Sequence, residues 1–142
     1  MAPVPTVAVF VTDDAIFVIS EKMTDMARQT IEPMHRLERG SPPDVVGNAV
    51  LDGLDAFKDS DDPPDPDGLR KLLDFVGARS WKSFAKSAIN FSIAGLTQET
   101  VGLSPARANS RGSYLYGDTH ECPREAVAIG EMLESLVERM TS

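Results

Sequence analysis

T-V-A-V-F-V at Thr6 to Val11 and A-I-F-V-I-S at Ala15 to Ser20 decide how the rest of the chain is read. The first run is β-branched and aromatic, and reads as a strand with both faces covered. The second has the same chemistry and reads as its partner. Asp13-Asp14 between them offers a turn, so the two form an N-terminal hairpin.

Outward from the hairpin, Pro33 disfavours helix at Glu32, which leaves Thr30 to Leu37 extended. Ser41-Pro42-Pro43-Asp44 then supplies a capping hydroxyl, prolines for a first turn and an acid near the positive helix end. Val45, Val46, Ala49, Val50, Leu54 and Phe57 recur at helical spacing, which predicts a helix from Pro42 to about Phe57. Lys58 to Asp67 (K-D-S-D-D-P-P-D-P-D) has no apolar surface to bury and reads as an exposed acidic loop with no regular element. Helix resumes near Asp67, with Leu69, Leu72, Leu73 and Val76 inward and Gly77 as the C-cap. Ser80 caps a short helix through Trp81, Phe84 and Ala85.

From Ala88 the period becomes two, with Ile89, Phe91 and Ile93 facing one way and Asn90, Ser92 and Ala94 the other. A turn at Thr97-Gln98-Glu99 leads to a short strand at Thr100 to Ser104. Ala106 to Gly112 reads as loop, and Ser113 to Tyr116 as a final strand. Pro123 opens the last helix, whose stripe is Val127, Ile129 or Gly130, Leu133, Leu136, Val137 and Met140. Strands, helices, strands and a helix predict one α+β domain over residues 1–142, with helices packed on a mostly antiparallel sheet.

The apolar share of 42% and charged share of 25% suit a soluble domain. No run approaches a membrane helix, and Met1-Ala2-Pro3-Val4-Pro5 lacks the pattern of a secretory leader. Cys122 is the only cysteine, so no internal disulfide is possible and the cytoplasm is the expected compartment. A formal net charge of −8 opposes phosphate backbones and anionic lipid, and favours a basic partner.

Neither catalytic nor metal-binding residues are identified, and no cofactor is expected. His120-x-Cys122 has no second ligand pair, and Asp61-Asp62-Pro63-Pro64 breaks the alternation of a calcium loop. Cys122 reads as a residue at a helix start, with a reactive thiol as the alternative. The sequence has neither a G-x-S-x-G elbow nor a glycine-rich phosphate loop. Arg79, Lys82 and Lys86 flank Trp81 and Phe84, so a single-stranded nucleic-acid domain using the sheet and the Lys82/Lys86 face is the second hypothesis. Trp81 and Phe84 themselves read as core. Asp52, Asp55, Asp59, Asp61, Asp62, Asp65 and Asp67 crowd one helix end and its loop, opposed locally by Lys58. One reading is a solvated loop held open by self-repulsion. The other is a docking surface for a basic protein such as a nuclease.

Several segments together resemble a family. They are V-A-V-F near the start, P-M-H-R-L at Pro33 to Leu37, V-G-N-A-V-L-D-G-L in the first helix, and the Pro/Asp loop. L-L-D-F-V-G-A-R-S-W-K-S-F-A-K from Leu72 to Lys86, S-P-A-R-A-N at Ser104 to Asn109 and a C-terminal A-x-x-I-G-E-M-L complete the pattern. G-x-x-S-W-x-x-F-x-K, Gly77 to Lys86, is its most distinctive part. The pattern spans nearly the whole chain and is similar to the CdiI-type immunity proteins of contact-dependent growth inhibition systems. The resemblance implies a cytoplasmic, non-enzymatic protein that binds the C-terminal toxin domain of a CdiA-type exoprotein, often a nuclease, and blocks its active site. It does not assign contact residues. Charge points to Asp59, Asp61 and Asp62 first, then Asp55 and Asp65, as carboxylates standing in for substrate phosphates.

Overall fold

The computed structural model describes residues 3–141. Met1 and Ala2, which head the stretch read for a leader, lie outside the described residues. The expected hairpin is the centre of the molecule. β1 (Thr6–Val11) pairs antiparallel with β2 (Ala15–Met23), three residues longer than the apolar run alone suggests. β3 (Arg28–Glu38) adds antiparallel to the outside of β2, its register shifting between Ile19 and Ser20 opposite the Glu32–Pro33 step. β5 (Ile89–Gly95) pairs with the other edge of β1, followed by β6 (Thr100–Arg107) and β7 (His120–Pro123). The order is β3-β2-β1-β5-β6-β7, and the sheet is antiparallel except where the two-residue β4 (Lys58–Asp59) runs parallel to the end of β2.

Both faces of β1 are buried, as expected, because helices cover the sheet on both sides. Alternate residues Val7, Val9 and Val11 pack with Phe91, Ile93 and Leu103 beneath α1 (Pro43–Ala56) and α4 (Ala126–Thr141). Ala8, Phe10, Phe17 and Ile19 turn the other way, onto α2 (Gly68–Val76) and α3 (Trp81–Ser87). Phe10, Trp81, Phe84 and Tyr114 make edge and tilted ring contacts at 5.3 to 6.3 Å. Trp81 also donates from its indole nitrogen to the Gly112 carbonyl (2.8 Å), so this ring is core, as read.

Several local expectations are corrected. Ser41 does not cap α1: its hydroxyl donates backwards to the Glu38 carbonyl, and Pro42 takes the cap position without a side-chain bond. The 58–67 segment is not wholly irregular, because Lys58 and Asp59 find unpaired backbone on β2 beyond the end of β1. Ala106 and Arg107 continue β6, opposite Asn90 and Ile89, despite their polar surroundings. Ser113 to Tyr116 is not a strand and contributes one isolated bridge, Ala108 to Tyr114. The last strand is β7, so Pro123 ends a strand and α4 begins three residues later. Leu69 and Val127 point to solvent, and Leu73 and Val76 are only half-buried. Ser80 does cap α3, accepting from the Ser83 amide, and Gly77 does end α2 at φ 76°.

Candidate functional site

α1 carries Asp52 and Asp55 on its exposed side and ends at Ala56, with Phe57 as its C-cap. Pairing of Lys58 and Asp59 with Lys22 and Met23 then fixes where the acidic loop leaves the sheet. The loop folds back on the β2–β3 turn, where the Asp25 amide donates to the Asp62 carbonyl (3.0 Å). The Ser60 hydroxyl accepts from the Asp62 amide, and Thr24 closes the facing turn by accepting from Met26 and Ala27. The far end is pinned by Gln29, whose amide group both accepts from the Asp65 amide (2.9 Å) and donates to the Asp65 carbonyl (2.7 Å).

These ties divide the five predicted carboxylates into two groups. Asp65 is half-buried and bonded to the Lys71 ammonium at 2.7 Å, which together with the Asp67 amide holds its carboxyl below the usual range. Its charge is answered locally. Asp55, Asp59, Asp61 and Asp62 are exposed, and their carboxylates have no hydrogen-bond or ion-pair partner among the described residues. Asp67, the next acid along, meets Arg70 at 3.5 Å.

Two members of this surface were missed in the sequence. Asp25 and Met26, the latter 81% exposed, sit on the β2–β3 turn against the loop, although 37 residues separate Asp25 from Asp62. A wider pattern also appears only in the fold. The α1/α4 layer carries Asp44, Asp52, Asp55, Glu131, Glu134 and Glu138 against Arg139 alone. The opposite layer carries Arg70, Lys71, Lys82 and Lys86 against Asp74. The sheet thus separates a negative helical layer from a positive one.

The other chemistry-bearing residues are placed differently. Cys122 is not at a helix start but in β7, facing the core, where burial pushes its thiol up and away from reactivity. Among the described residues no three of His, Cys, Asp and Glu converge as a metal site would require. Lys82 and Lys86 are exposed on α3, but Phe84 beneath them is buried and both sheet faces carry helices, which removes the aromatic platform that single-stranded nucleic acid would stack on.

One half-buried carboxylate is bonded to a neutral partner and makes no ion pair among the described residues. Glu21 accepts from the Thr6 hydroxyl at 2.9 Å, and burial raises its pKa despite that bond and the field of Arg28. Nearby, Tyr116 donates to the buried Asn90 side chain, and burial followed by repulsion from Glu21 pushes its phenol up to about 12. Because the folded pKa of Glu21 is raised, its stabilising protonation is complete below the unfolded value and is lost as pH rises through the folded one. Glu21→Gln, which keeps an acceptor for Thr6, is therefore expected to raise the urea midpoint at pH 7 and to have no effect below about pH 4. An equal change at both pH values would remove ionisation as the cause.

No protein-family model and no curated protein matches the sequence. The fold, however, is shared. A protein of unknown function from Neisseria meningitidis superposes with a TM-score of 0.75 at 14% identity, covering 98% of this chain and 96% of its own. A chain of the CdiA-CT/CdiI toxin and immunity complex from Yersinia pseudotuberculosis superposes with a TM-score of 0.67 at 15% identity, covering 94% and 95%. At these identities the likeness is one of architecture, and it runs nearly end to end: the present chain has the α+β fold of a toxin–immunity complex component.

Proposed function

We propose that this chain is the immunity protein of a contact-dependent growth inhibition system, acting in the cytoplasm without catalysis of its own. It binds the C-terminal toxin domain of a CdiA-type exoprotein, a basic nuclease, and blocks the active site. The observation that carries this reading is the surface formed by Asp55, Asp59, Asp61 and Asp62, held by the Asp25–Asp62 backbone bond and the Gln29 side-chain bonds to Asp65, whose four carboxylates make no ion pair among the described residues. Carboxylates that fold into no local ion pair keep their full field for an incoming charge, and a fixed backbone limits the entropy lost on docking. The fold shared with a chain of a toxin and immunity complex supports the same reading. So does the motif resemblance, whose distinctive Gly77 to Lys86 segment forms the αL cap, the Ser80 cap and the Trp81 and Phe84 core contacts.

The test uses the C-terminal domain of any CdiA-type exoprotein whose reading frame adjoins this gene. Purified chain is titrated into that domain by calorimetry, and nuclease turnover is followed on tRNA and on plasmid DNA. Stoichiometric binding with a Kd at or below about 100 nM and loss of turnover is the expected result. Absence of binding at micromolar protein, or nucleic-acid cleavage by this chain alone, overturns the reading.

A further inference from the structure

α1 and α4 run in opposite directions and touch where Gly130 meets Pro43 and Gly47 meets Ala126. Beyond that contact the second half of α4 continues past the start of α1 and leaves a groove of about 340 Å³ against the ends of β1 and β2. Its floor is made by core residues, Val11, Ile16, Val46, Leu133 and Val137, each no more than 8% exposed. One wall carries Glu134 and Glu138, a helical turn apart and both exposed, whose carboxylates have no ion-pair or hydrogen-bond partner among the described residues. The lining also includes Arg39, whose guanidinium donates to the Thr12 carbonyl at 2.7 Å.

We propose that this groove is a docking site for a basic protein segment that seats one apolar side chain on the floor with a lysine or arginine beside it against Glu134 and Glu138. Apolar surface needs an apolar anchor, and a fully desolvated anchor in a pocket is where interface energy concentrates. Two unpaired carboxylates on one wall select the sign of the flanking charge, and Arg39, one positive charge against two negative ones, only partly offsets them. Volume decides the size: a groove of this capacity takes one or two side chains and not a folded element. That the segment belongs to the toxin rests on the function proposed above; the groove itself does not. It lies at the N-terminal end of α1, whereas Asp55 and the 58–67 loop lie at the C-terminal end, about 20 Å away along a 14-residue helix.

The probe is the peptide Gly-Lys-Phe-Lys-Gly, blocked at both ends and titrated into the ¹⁵N-labelled full chain at low salt, with Gly-Lys-Ser-Lys-Gly as a control of equal charge. Saturable shifts at the amides of Val46, Leu133 and Val137 are expected, at least tenfold weaker for the serine peptide and for the Glu134→Lys/Glu138→Lys protein. Both glutamates are exposed, so that variant keeps its fold; Ser41→Trp, which fills the groove from its rim, is the independent second variant and is expected to abolish the shifts. Asp59→Lys/Asp61→Lys/Asp62→Lys protein is expected to bind the peptide as the parent does, whether or not that variant still associates with a toxin domain. Equal binding of the two peptides, or loss of binding in the Asp59/Asp61/Asp62 variant, would show that only general charge is read and overturns the proposal.

Discussion

Gly47→Ala and Gly130→Ala are each expected to lower the unfolding free energy by about 2 kcal/mol, and Gly117→Ala to leave it within about 0.5 kcal/mol. A Cβ on Gly47 would fall far inside contact distance of the Ala126 carbonyl, and one on Gly130 would do the same at the Pro43 carbonyl. The obstructing atoms are backbone, so no rotamer change relieves them and α1 must move away from α4. Overpacking of this kind costs about 3 kcal/mol, whereas replacing glycine inside a helix returns about 1 kcal/mol of propensity. The steric cost wins. Gly117 is the control because its nearest neighbour, the Pro105 carbonyl oxygen, stands 3.7 Å from the added carbon. Urea melts with an unchanged m-value should show the difference, and thermal melts a fall of about 7 °C for each helix variant. A gain in stability at Gly47 would mean that helix propensity dominates and that the two helices do not approach this closely.

The same contact shows what the sequence revealed and what it withheld. The reading and the fold agree at the Thr6–Val11 and Ala15–Ser20 hairpin, the alternation at Ile89 to Ile93, and the Ser80 and Gly77 caps, where a local period or cap is strong. Disagreements fall where a distant partner decides. His120 to Pro123 has no strand signature of its own and becomes β7 because β6 presents an open edge from Thr100 to Leu103. Lys58 and Asp59 join the sheet because β1 stops short of β2. Ser113 to Tyr116 carries strand-like residues but spends them in ring contacts with Phe10 and Trp81 and in the Tyr116–Asn90 bond. The candidate surface divides in the same way. Aspartates close in sequence were legible as an acidic loop, but Asp25 joins them through a single backbone bond, and Asp65 leaves them for Lys71. Glu134 and Glu138 lie more than 60 residues beyond the loop, and no local pattern connects them to α1.

Asp59→Lys, Asp61→Lys and Asp62→Lys combined should slow association with the toxin domain about 100-fold at low ionic strength, with a much smaller change in the dissociation rate. The substitution moves the local charge by six units on a surface where these carboxylates make no ion pair among the described residues. Steering by such a field raises association constants by one to three orders of magnitude, and it fades as the Debye length shortens from about 30 Å at 0.01 M salt to about 8 Å at 0.15 M. The parent rate constant should therefore fall steeply with salt while that of the triple variant stays flat or rises. Asp65→Asn separates a field effect from loop damage: Lys71 already answers that charge, so removing it is expected to alter the rate less than threefold. Stopped-flow fluorescence across a salt series reads both quantities. A triple variant that associates at the parent rate at every salt would take the 58–67 loop out of the encounter and leave the α4 carboxylates as the negative surface a basic partner meets first.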